Sequence, residues 1–420
     1  MEVVRRQFLA SAASATLIGG IPAAAARNKE QRQQDMADTQ TYAAVAMQLA
    51  ARSVEHAPDR ESARRQMMDT IASLEPKIRS ATIFIQQYAG NPVKLAVLPE
   101  YVLTSYPGRI SVPDFADRAA LEIDGPEYEA MGAIAQRLGL FIAGNAYEQD
   151  RHFPGLYFQT SFVIAPSGDV VLRYRRLNSM FAPTPHDVWS RYLDIYGLDG
   201  VFPVARTEIG NLAAIASEEI LYPEIARAMA LRGAEIFVHS SSEIGSPIDT
   251  PKSIAKRARA QENMAYVVSA NTAGIELSSL PVASGDGNSM VVDYKGRVVA
   301  ESNSRETFTA FGEIDLGALR AARRKPAMTN FLARQRLELF AEVYSGKSPQ
   351  RADSLIQNNE VIIPDRDFFK RVQEESINNL IKEGIVWVRR HHPQSRHTGP
   401  SRLMTYFHQS PMMRRRVSIF

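Results

Sequence analysis

The sequence predicts an α/β protein with mixed sheets, and two observations support that fold class. Apolar runs suited to buried strands alternate with longer segments whose apolar residues recur at helical spacing, as residues 93–101 and 60–87 illustrate. Residues 157–176 and 287–301 each join two strand-like halves through a Gly-containing turn, which is typical of a β-hairpin. Since hairpins add antiparallel strands to the parallel strands of βαβ units, the sheets are expected to be mixed.

The predicted elements follow one another from residue 42. Short apolar runs bounded by polar or turn-forming residues predict strands at 42–50, 93–101, 141–148, 157–176, 211–217, 235–241, 265–274 and 287–301. Helical spacing predicts helices at 60–87, 126–140, 252–265 and after Tyr222. Residues 178–205 are predicted to form a loop. Beyond residue 321 the pattern weakens, and one amphipathic helix over 321–345 and another near 366–384 are expected.

The composition is that of a globular protein, with 45% hydrophobic and 23% charged residues. The net charge of +3 is spread along the chain and gives no nucleic-acid-binding patch. No apolar run reaches the ~18 residues that a membrane span requires. The absence of Cys excludes disulfides, thiolate metal ligands and a Cys nucleophile. Isolated glycines and the lack of metal-ligand His spacing in the core predict neither a cofactor nor a metal.

The N-terminus predicts export. An Arg pair at 5–6 precedes an apolar stretch at 8–21 and a small-residue cleavage site at 23–26. This arrangement resembles a bacterial twin-arginine (Tat) signal, whose cargo crosses the membrane already folded. Residues 1–26 are therefore predicted to be a signal peptide, and the polar residues 27–40 a linker. The mature protein is expected to be periplasmic or extracellular and free of the membrane.

The C-terminal tail carries half of the eight histidines of the chain, at positions 391, 392, 397 and 408. The spacing of the first three is compatible with a metal site, but no carboxylate lies nearby in sequence. A solvated tail, or a tail that covers a partner, is therefore predicted instead.

Three segments each place a polar side chain at the end of an apolar strand. Glu100 follows LAVLP, Arg175 and Arg176 end VVLRYRR, and Ser217 follows LAAIA on a turn into a helix. Sites in α/β proteins are built at the carboxyl ends of strands. Taken singly, each residue also has a structural explanation, as an ion-pair partner, a solvated hairpin edge or a helix N-cap.

Together and in this order, the segments resemble the nitrilase, or carbon–nitrogen hydrolase, superfamily. Its P-E, Y-R-K and C-Y-D-x-x-x-P-E motifs correspond here to LPEY at 98–101, YRR at 174–176 and SEEILYPE at 217–224. Supporting matches extend the resemblance over about residues 42–324. It implies a four-layer α-β-β-α sandwich of the nitrilase type with two mixed sheets, a domain over 41–320 and a C-terminal extension over 321–420.

The resemblance also implies a catalytic triad of Glu100, Arg176 and Ser217. In the family, Glu is the general base, Lys stabilises the oxyanion and Cys forms a thioester with the substrate. Arg176 stands at the Lys position and Ser217 at the Cys position, so two of the three residues differ from those of the family. A carboxylate base is poorly matched to a hydroxyl, which is far less acidic than a thiol. An Arg beside Glu100 would also be able to lock that base in a salt bridge.

Four further residues are predicted to line the same pocket as substrate-binding groups. Glu148 and Asp187 are both candidates for the family's second glutamate, which orients the base, and the choice between them stays open. Trp189 belongs to the aromatic part of the 178–205 loop, and loops of this kind set specificity. Glu218 adds negative charge next to the nucleophile position, which disfavours an alkoxide.

Two functions from different classes fit this sequence. The first is hydrolysis of linear amides, carbamoyl amines or nitriles, with Ser217 as nucleophile, Glu100 as base and Arg176 at the oxyanion. The second is a catalytically inactive relative, a pseudoenzyme that binds a small ligand or serves as a structural subunit. The Gly/Ser-rich signature of Ser–Lys amidases is missing. The resemblance further implies a homodimer or higher oligomer that pairs through residues 221–233.

Overall fold

Two six-stranded mixed sheets pack face to face, and helices cover their outer faces, so that the chain forms a four-layer α-β-β-α sandwich. The structure is a computed structural model that describes residues 41–243, 250–282, 287–303 and 305–387. The predicted fold class is confirmed. The predicted signal peptide and linker, and the four tail histidines, lie outside the described residues.

The first sheet consists, in spatial order, of β14 (Thr307–Asp315), β1 (Thr41–Gln48), β3 (Val93–Val97), β4 (Phe141–Gln149), β5 (Tyr157–Ile164) and β6 (Val170–Arg175). Strands β1, β3 and β4 are parallel neighbours, and the remaining pairs are antiparallel. The hairpin predicted at 157–176 is therefore β5–β6, which ends directly before Arg176.

The second sheet consists of β13 (Val298–Glu301), β12 (Met290–Val292), β10 (Tyr266–Asn271), β9 (Ile236–Ser241), β8 (Gly210–Ala216) and β7 (Ala205–Thr207). Strands β8, β9 and β10 are parallel neighbours. Two short pairs lie outside the main sheets: β2 (Ala50–Arg52) with β11 (Gly274–Glu276), and β15 (Ile356–Gln357) with β16 (Glu360–Val361).

The helices are α1 (Arg60–Ala89), α2 (Val112–Ala119), α3 (Pro126–Leu138), α4 (Trp189–Val201), α5 (Pro223–Leu231), α6 (Pro251–Asn263), α7 (Leu316–Arg324), α8 (Glu338–Ser345) and α9 (Phe368–Lys382). Two short 3-10 helices cover Pro185–Val188 and Ser217–Leu221. Among the described residues, no helix has the length and apolar character needed to cross a bilayer.

The core lies mainly between the two sheets. Leu95 and Val97 of β3 pack in the same buried cluster as Leu212 and Ile215 of β8. The buried Tyr42 hydroxyl donates a hydrogen bond of 2.7 Å to the Ile209 carbonyl, which ties β1 to the start of β8. This packing fixes the two sheets against each other and brings strand ends from both to one region.

The single helix predicted over residues 321–345 is wrong. Helix α7 ends at Arg324, and α8 begins only at Glu338. Lys325 is extended (φ −81°, ψ 124°) because the following Pro326 disfavours the helical conformation of the residue before it. The apolar periodicity continues across this break, which is why it predicted one helix.

The loop predicted over residues 178–205 is also wrong in its second half, which is helical. Thr184 and Asp187 form a capping box that starts the 3-10 helix Pro185–Val188, and α4 follows directly. Pro185 is well placed at the first helical position, where its missing N–H would have had no partner. Gly197, with φ 60°, interrupts the regular dihedrals inside α4 and hid the helix from sequence reasoning.

Candidate active site

The three predicted triad residues lie at the ends of strands that meet across the two sheets. Glu100 follows β3, Arg176 follows β6 and Ser217 follows β8, and these side chains are 2%, 9% and 5% exposed. The Glu100 amide donates to the Ser241 carbonyl at the end of β9, at 3.4 Å, which connects the first sheet to the second. The structure therefore brings Glu100, Arg176 and Ser217 into one buried polar region.

Ser217 occupies a sharp elbow between β8 and α5. Its φ of 50° is in the left-handed region, which costs a non-Gly residue about 1–3 kcal/mol, so the surrounding structure must hold it there. His239 Nε2 hydrogen-bonds the Ser217 carbonyl oxygen at 2.8 Å, and its Nδ1 contacts Ser269 Oγ at 2.8 Å. Burial, followed by the charge of Lys256, holds the His239 pKa well below its usual value. A neutral imidazole therefore supports the elbow.

Gln159 of β5 links Glu100 to Arg176. Its Nε2 donates to Glu100 Oε1 at 2.6 Å and to Asn145 Oδ1 at 3.1 Å, while its Oε1 accepts from Arg176 Nη1 at 2.6 Å. Arg176 Nη1 also lies 3.5 Å from Glu100 Oε1, which is the salt bridge expected of an Arg at this position. Glu100 Oε2 is buried and has no hydrogen-bond partner within the described part of the chain.

The other nitrogens of Arg176 are also engaged by the protein. Nε donates to the Asn178 carbonyl at 2.6 Å, and Nη2 pairs with Glu218 Oε1. Burial lowers the Arg176 pKa, but the nearby carboxylates of Glu100, Glu218 and Glu219 more than offset it, so the pKa is raised overall. The guanidinium is therefore charged, and each of its three nitrogens contributes to holding Glu100 and the elbow together.

Glu219 connects the Arg176 turn to the elbow and was not identified from the sequence. Its Oε1 accepts from the amides of Leu177 and Asn178 at 2.7 and 2.9 Å, and its Oε2 accepts from the Tyr174 hydroxyl at 2.7 Å. Burial raises the Glu219 pKa to about 7, although Arg176 and these hydrogen bonds oppose the shift.

Lys252 of α6 makes the hydrogen bond to the Ser217 side chain. Its Nζ lies 3.1 Å from Ser217 Oγ and 3.2 Å from Ser241 Oγ. The Thr250 hydroxyl caps α6 by accepting from the Ser253 amide at 3.1 Å, which fixes the first turn that carries Lys252. Sequence reasoning missed this lysine because it lies 35 residues from Ser217 and belongs to no recognisable motif.

The two candidates for a second glutamate have other partners. Glu148 is fully buried and contacts Tyr128, Arg173 and Arg175, at 3.0, 3.1 and 3.3 Å. Asp187 accepts from the Thr184 amide and hydroxyl and from Ser354 Oγ, the last at 2.6 Å. Neither carboxylate contacts Glu100 within the described residues, so a role for either in orienting that base stays a prediction.

The remaining predicted pocket residues fall in two places. Glu218 adjoins Ser217 and pairs with Arg176. Trp189, at the start of α4, packs against the cluster that contains Phe153 and Tyr192.

A cavity of about 800 Å³ between α2 and the start of the β4–β5 connection has none of the triad residues in its lining. No group of three His, Asp or Glu side chains suited to a metal occurs in the part of the chain that the structure describes.

Comparison with known proteins agrees with this architecture. The carbon-nitrogen hydrolase family profile matches residues 62–324. Omega-amidase NIT2-A of Xenopus laevis is 24% identical over 239 residues, which cover 57% of this chain and 83% of that protein. A formamidase of Helicobacter acinonychis is 26% identical over 190 residues, covering 45% and 53% of the two chains.

The fold is similar to a carbon-nitrogen hydrolase from Helicobacter pylori, with a TM-score of 0.52, 21% identity and coverage of 73% of this chain and 99% of the other. It is also similar to Nit3 of Saccharomyces cerevisiae, a member of branch 10 of the nitrilase superfamily, with a TM-score of 0.53, 19% identity and coverage of 69% and 96%. The class of protein is defined by the α-β-β-α sandwich together with the polar residues at the strand ends that meet between its two sheets. This chain belongs to the carbon-nitrogen hydrolase family.

Proposed function

We propose that this protein hydrolyses non-peptide carbon–nitrogen bonds in linear amides, carbamoyl amines or nitriles, with Ser217 as the nucleophile. The proposal depends on one observation above all. Ser217 is held at φ 50° on the strand-to-helix elbow of the second sheet, in the region where Glu100 and Arg176 follow strands of the first sheet. A strained elbow presents a side-chain oxygen to a reacting carbon, and such strain is kept where the surrounding structure enforces it.

Glu100 supports this function as a hydrogen-bond acceptor. Its Oε1 is fixed by Gln159 and Arg176, while its buried Oε2 has no partner in the described residues. A buried acceptor left unpaired is costly, and a substrate amide N–H or the hydrolytic water would satisfy it. Arg176 then acts by orienting Glu100, because its own nitrogens are already paired.

The substrate class rests on the family and on its named members. A relative named an omega-amidase and another named a formamidase both act, by those names, on amides. The buried polar region here combines a hydroxyl, a carboxylate and cations, which suits a small polar carbonyl compound. We also propose that the protein acts after export and removal of residues 1–26, and that it forms a homodimer or higher oligomer.

The same contacts favour a second candidate, a catalytically inactive relative that binds a small ligand. Arg176 donates from all three of its nitrogens to Gln159, Asn178 and Glu218, and these contacts hold the guanidinium in place rather than leaving it free to follow a developing oxyanion. An oxyanion left without a donor loses about 3–4 kcal/mol of transition-state stabilisation.

Ammonia release decides between the two functions. The chain comprising residues 27–420 is incubated with a panel of linear amides, carbamoyl amines and nitriles. Ser217→Ala is expected to lower turnover by about 10³-fold or more, because the nucleophile is lost. Ser73→Ala, on α1 and away from the site, is the matched control and is expected to match the parent. Activity that survives in Ser217→Ala would disprove the serine mechanism. A silent parent with an active Ser217→Cys would identify the binding protein.

Arg176→Lys tests whether the guanidinium restrains Glu100. In the Ser217→Cys background, we expect this change to raise ammonia release by about 10-fold, since an ammonium group removes the contact of Arg176 Nη1 with Glu100 Oε1 and leaves a donor for the oxyanion. Arg206→Lys, at an exposed position, serves as the control in the same background. An unchanged or lower rate in the Arg176→Lys protein would show that the Arg176 contacts do not limit the chemistry.

A further inference from the structure

We propose that Lys252 is a catalytic residue that takes the proton from Ser217 as its oxygen attacks, so that the two side chains act as a Ser–Lys dyad. The inference rests on the proposed hydrolase function. It assigns the proton transfer to a residue of α6 rather than to Glu100 or Arg176, which occupy the triad positions of the family. No sequence motif pointed to this lysine.

Geometry is the first support. Lys252 Nζ is the hydrogen-bond partner of Ser217 Oγ within the described residues, at 3.1 Å, and the same nitrogen is 3.2 Å from Ser241 Oγ. Lys252 therefore lies within hydrogen-bond reach of both the nucleophile and a third group that orients the base, which is the arrangement that nucleophilic catalysis needs. Glu100, by contrast, makes no hydrogen bond to Ser217 in the described residues.

The second support is chemical matching. A hydroxyl is a much weaker acid than a thiol, so replacing Cys by Ser at the elbow calls for a stronger base. A lysine amine is a far stronger base than a carboxylate, and Ser–Lys pairs perform acyl transfer on other folds. Glu100 is in addition held on Oε1 by Gln159 and Arg176, and it makes its contacts with them rather than with Ser217.

The third support is the crowding of positive charge on α6. Lys256 lies four residues after Lys252, on the same helix face, and its fully buried Nζ donates to the Asn288 carbonyl at 3.0 Å. Burial, and then the charge of Lys252, lowers the Lys256 pKa to about 8 against the opposing pull of Glu243. The buried Lys256 therefore lies next to the proposed base, on the same helix face, with a weakened hold on its own proton.

The reaction balances without any further reagent. The neutral Lys252 amine accepts the Ser217 hydroxyl proton while Oγ forms a bond to the amide carbon and the carbonyl becomes an oxyanion. The tetrahedral intermediate collapses, the C–N bond breaks, and the Lys252 ammonium returns the proton to the leaving nitrogen. Water then gives a proton to Lys252 and attacks the ester carbon. The bond from that carbon to Ser217 Oγ breaks, the Lys252 ammonium returns its proton to Oγ, and the carboxylic acid leaves.

The test uses a probe that reports on Ser217 without any amide turnover. A fluorophosphonate phosphonylates an activated serine and releases fluoride, and intact mass spectrometry gives the rate. We expect Lys252→Ala and Lys252→Arg to lower both this rate and ammonia release by about 10²–10⁴-fold, since Arg cannot accept a proton. Added methylamine is expected to restore part of the rate to Lys252→Ala. Lys370→Met, exposed on α9, is the matched control.

The possible outcomes test the Ser217–Lys252 dyad separately from the proposed hydrolase function. Labelling and ammonia release at the parental rate in Lys252→Ala would overturn the dyad. Rates close to parental in Lys252→Arg would also overturn it, because a fixed positive charge would then be enough to activate Ser217 without proton transfer. A parent whose Ser217 does not react with the probe would overturn it as well. Lys252-dependent labelling in a protein that hydrolyses no amide, carbamoyl amine or nitrile would sustain the dyad and refute the proposed function. Thermal unfolding of each variant confirms that it is folded.

Discussion

Replacing Arg175 by Met is expected to lower the free energy of unfolding by about 3–5 kcal/mol, because it removes one partner of a buried ion-pair network. Arg175 is almost completely buried. Its Nη2 lies 3.3 Å from Glu148 Oε1, and its Nη1 lies 2.5 Å from Asp150 Oδ2 in an ion pair whose hydrogen-bond alignment is poor. The guanidinium also stacks over aromatic rings, including Tyr196 at 4.9 Å from the ring centroid.

Loss of Arg175 would leave Glu148 with Arg173 and Tyr128 as its remaining partners. Asp150 would keep the Tyr196 hydroxyl and the His152 amide. Urea denaturation followed by fluorescence gives the free energy of unfolding. Arg79→Met is the control, because its exposed pair with Glu75 is worth at most about 1 kcal/mol. A loss at position 175 no larger than that of the control would show that the network contributes no net stability.

Glu219→Gln is expected to change how stability depends on pH. Burial raises the Glu219 pKa from 4.5 to about 7, so the folded protein binds this proton more tightly than the unfolded chain does. The stability that comes from the proton is present in full below pH 4.5 and is lost as the pH rises to about 7. The parent should therefore lose about 3 kcal/mol relative to Glu219→Gln across that window.

Gln suits this measurement because its carbonyl oxygen can still accept from the amides of Leu177 and Asn178. Free energies of unfolding are measured for both proteins at pH 4.5, 6 and 8, and only their difference is used, so that His239 and other titrating groups cancel. Glu129→Gln, on the exposed side of α3, provides the control. A difference that stays constant with pH would mean that the Glu219 proton is not linked to folding.

The fold could be predicted because its signals are local. Apolar runs marked most strands of both sheets but not the edge strands β7 and β14, and helical spacing marked α1, α3, α5 and α6. The errors occurred where a single residue overrides the pattern, as Pro326 does between α7 and α8 and Gly197 does inside α4.

The site was only partly predictable, for a physical reason. Glu100, Arg176 and Ser217 each end a strand, and that position can be recognised in the sequence. Gln159 lies within an apolar strand, and Lys252 lies on a helix, so their contacts with the triad arise from how the elements pack. Glu219 was not identified for the same reason, because its hold on the turn after Arg176 depends on how that turn packs against the elbow.

The contact between Asp187 and Ser354 sets where the protein can be shortened. The family profile ends at residue 324, yet Ser354 bonds the residue that caps the 3-10 helix before α4, and Leu355 is fully buried in the cluster with Phe153. A chain cut at residue 324 would leave Asp187 without that partner and uncover an apolar surface. A chain that ends at residue 324 is therefore expected to be less stable than one that keeps Ser354 and Leu355.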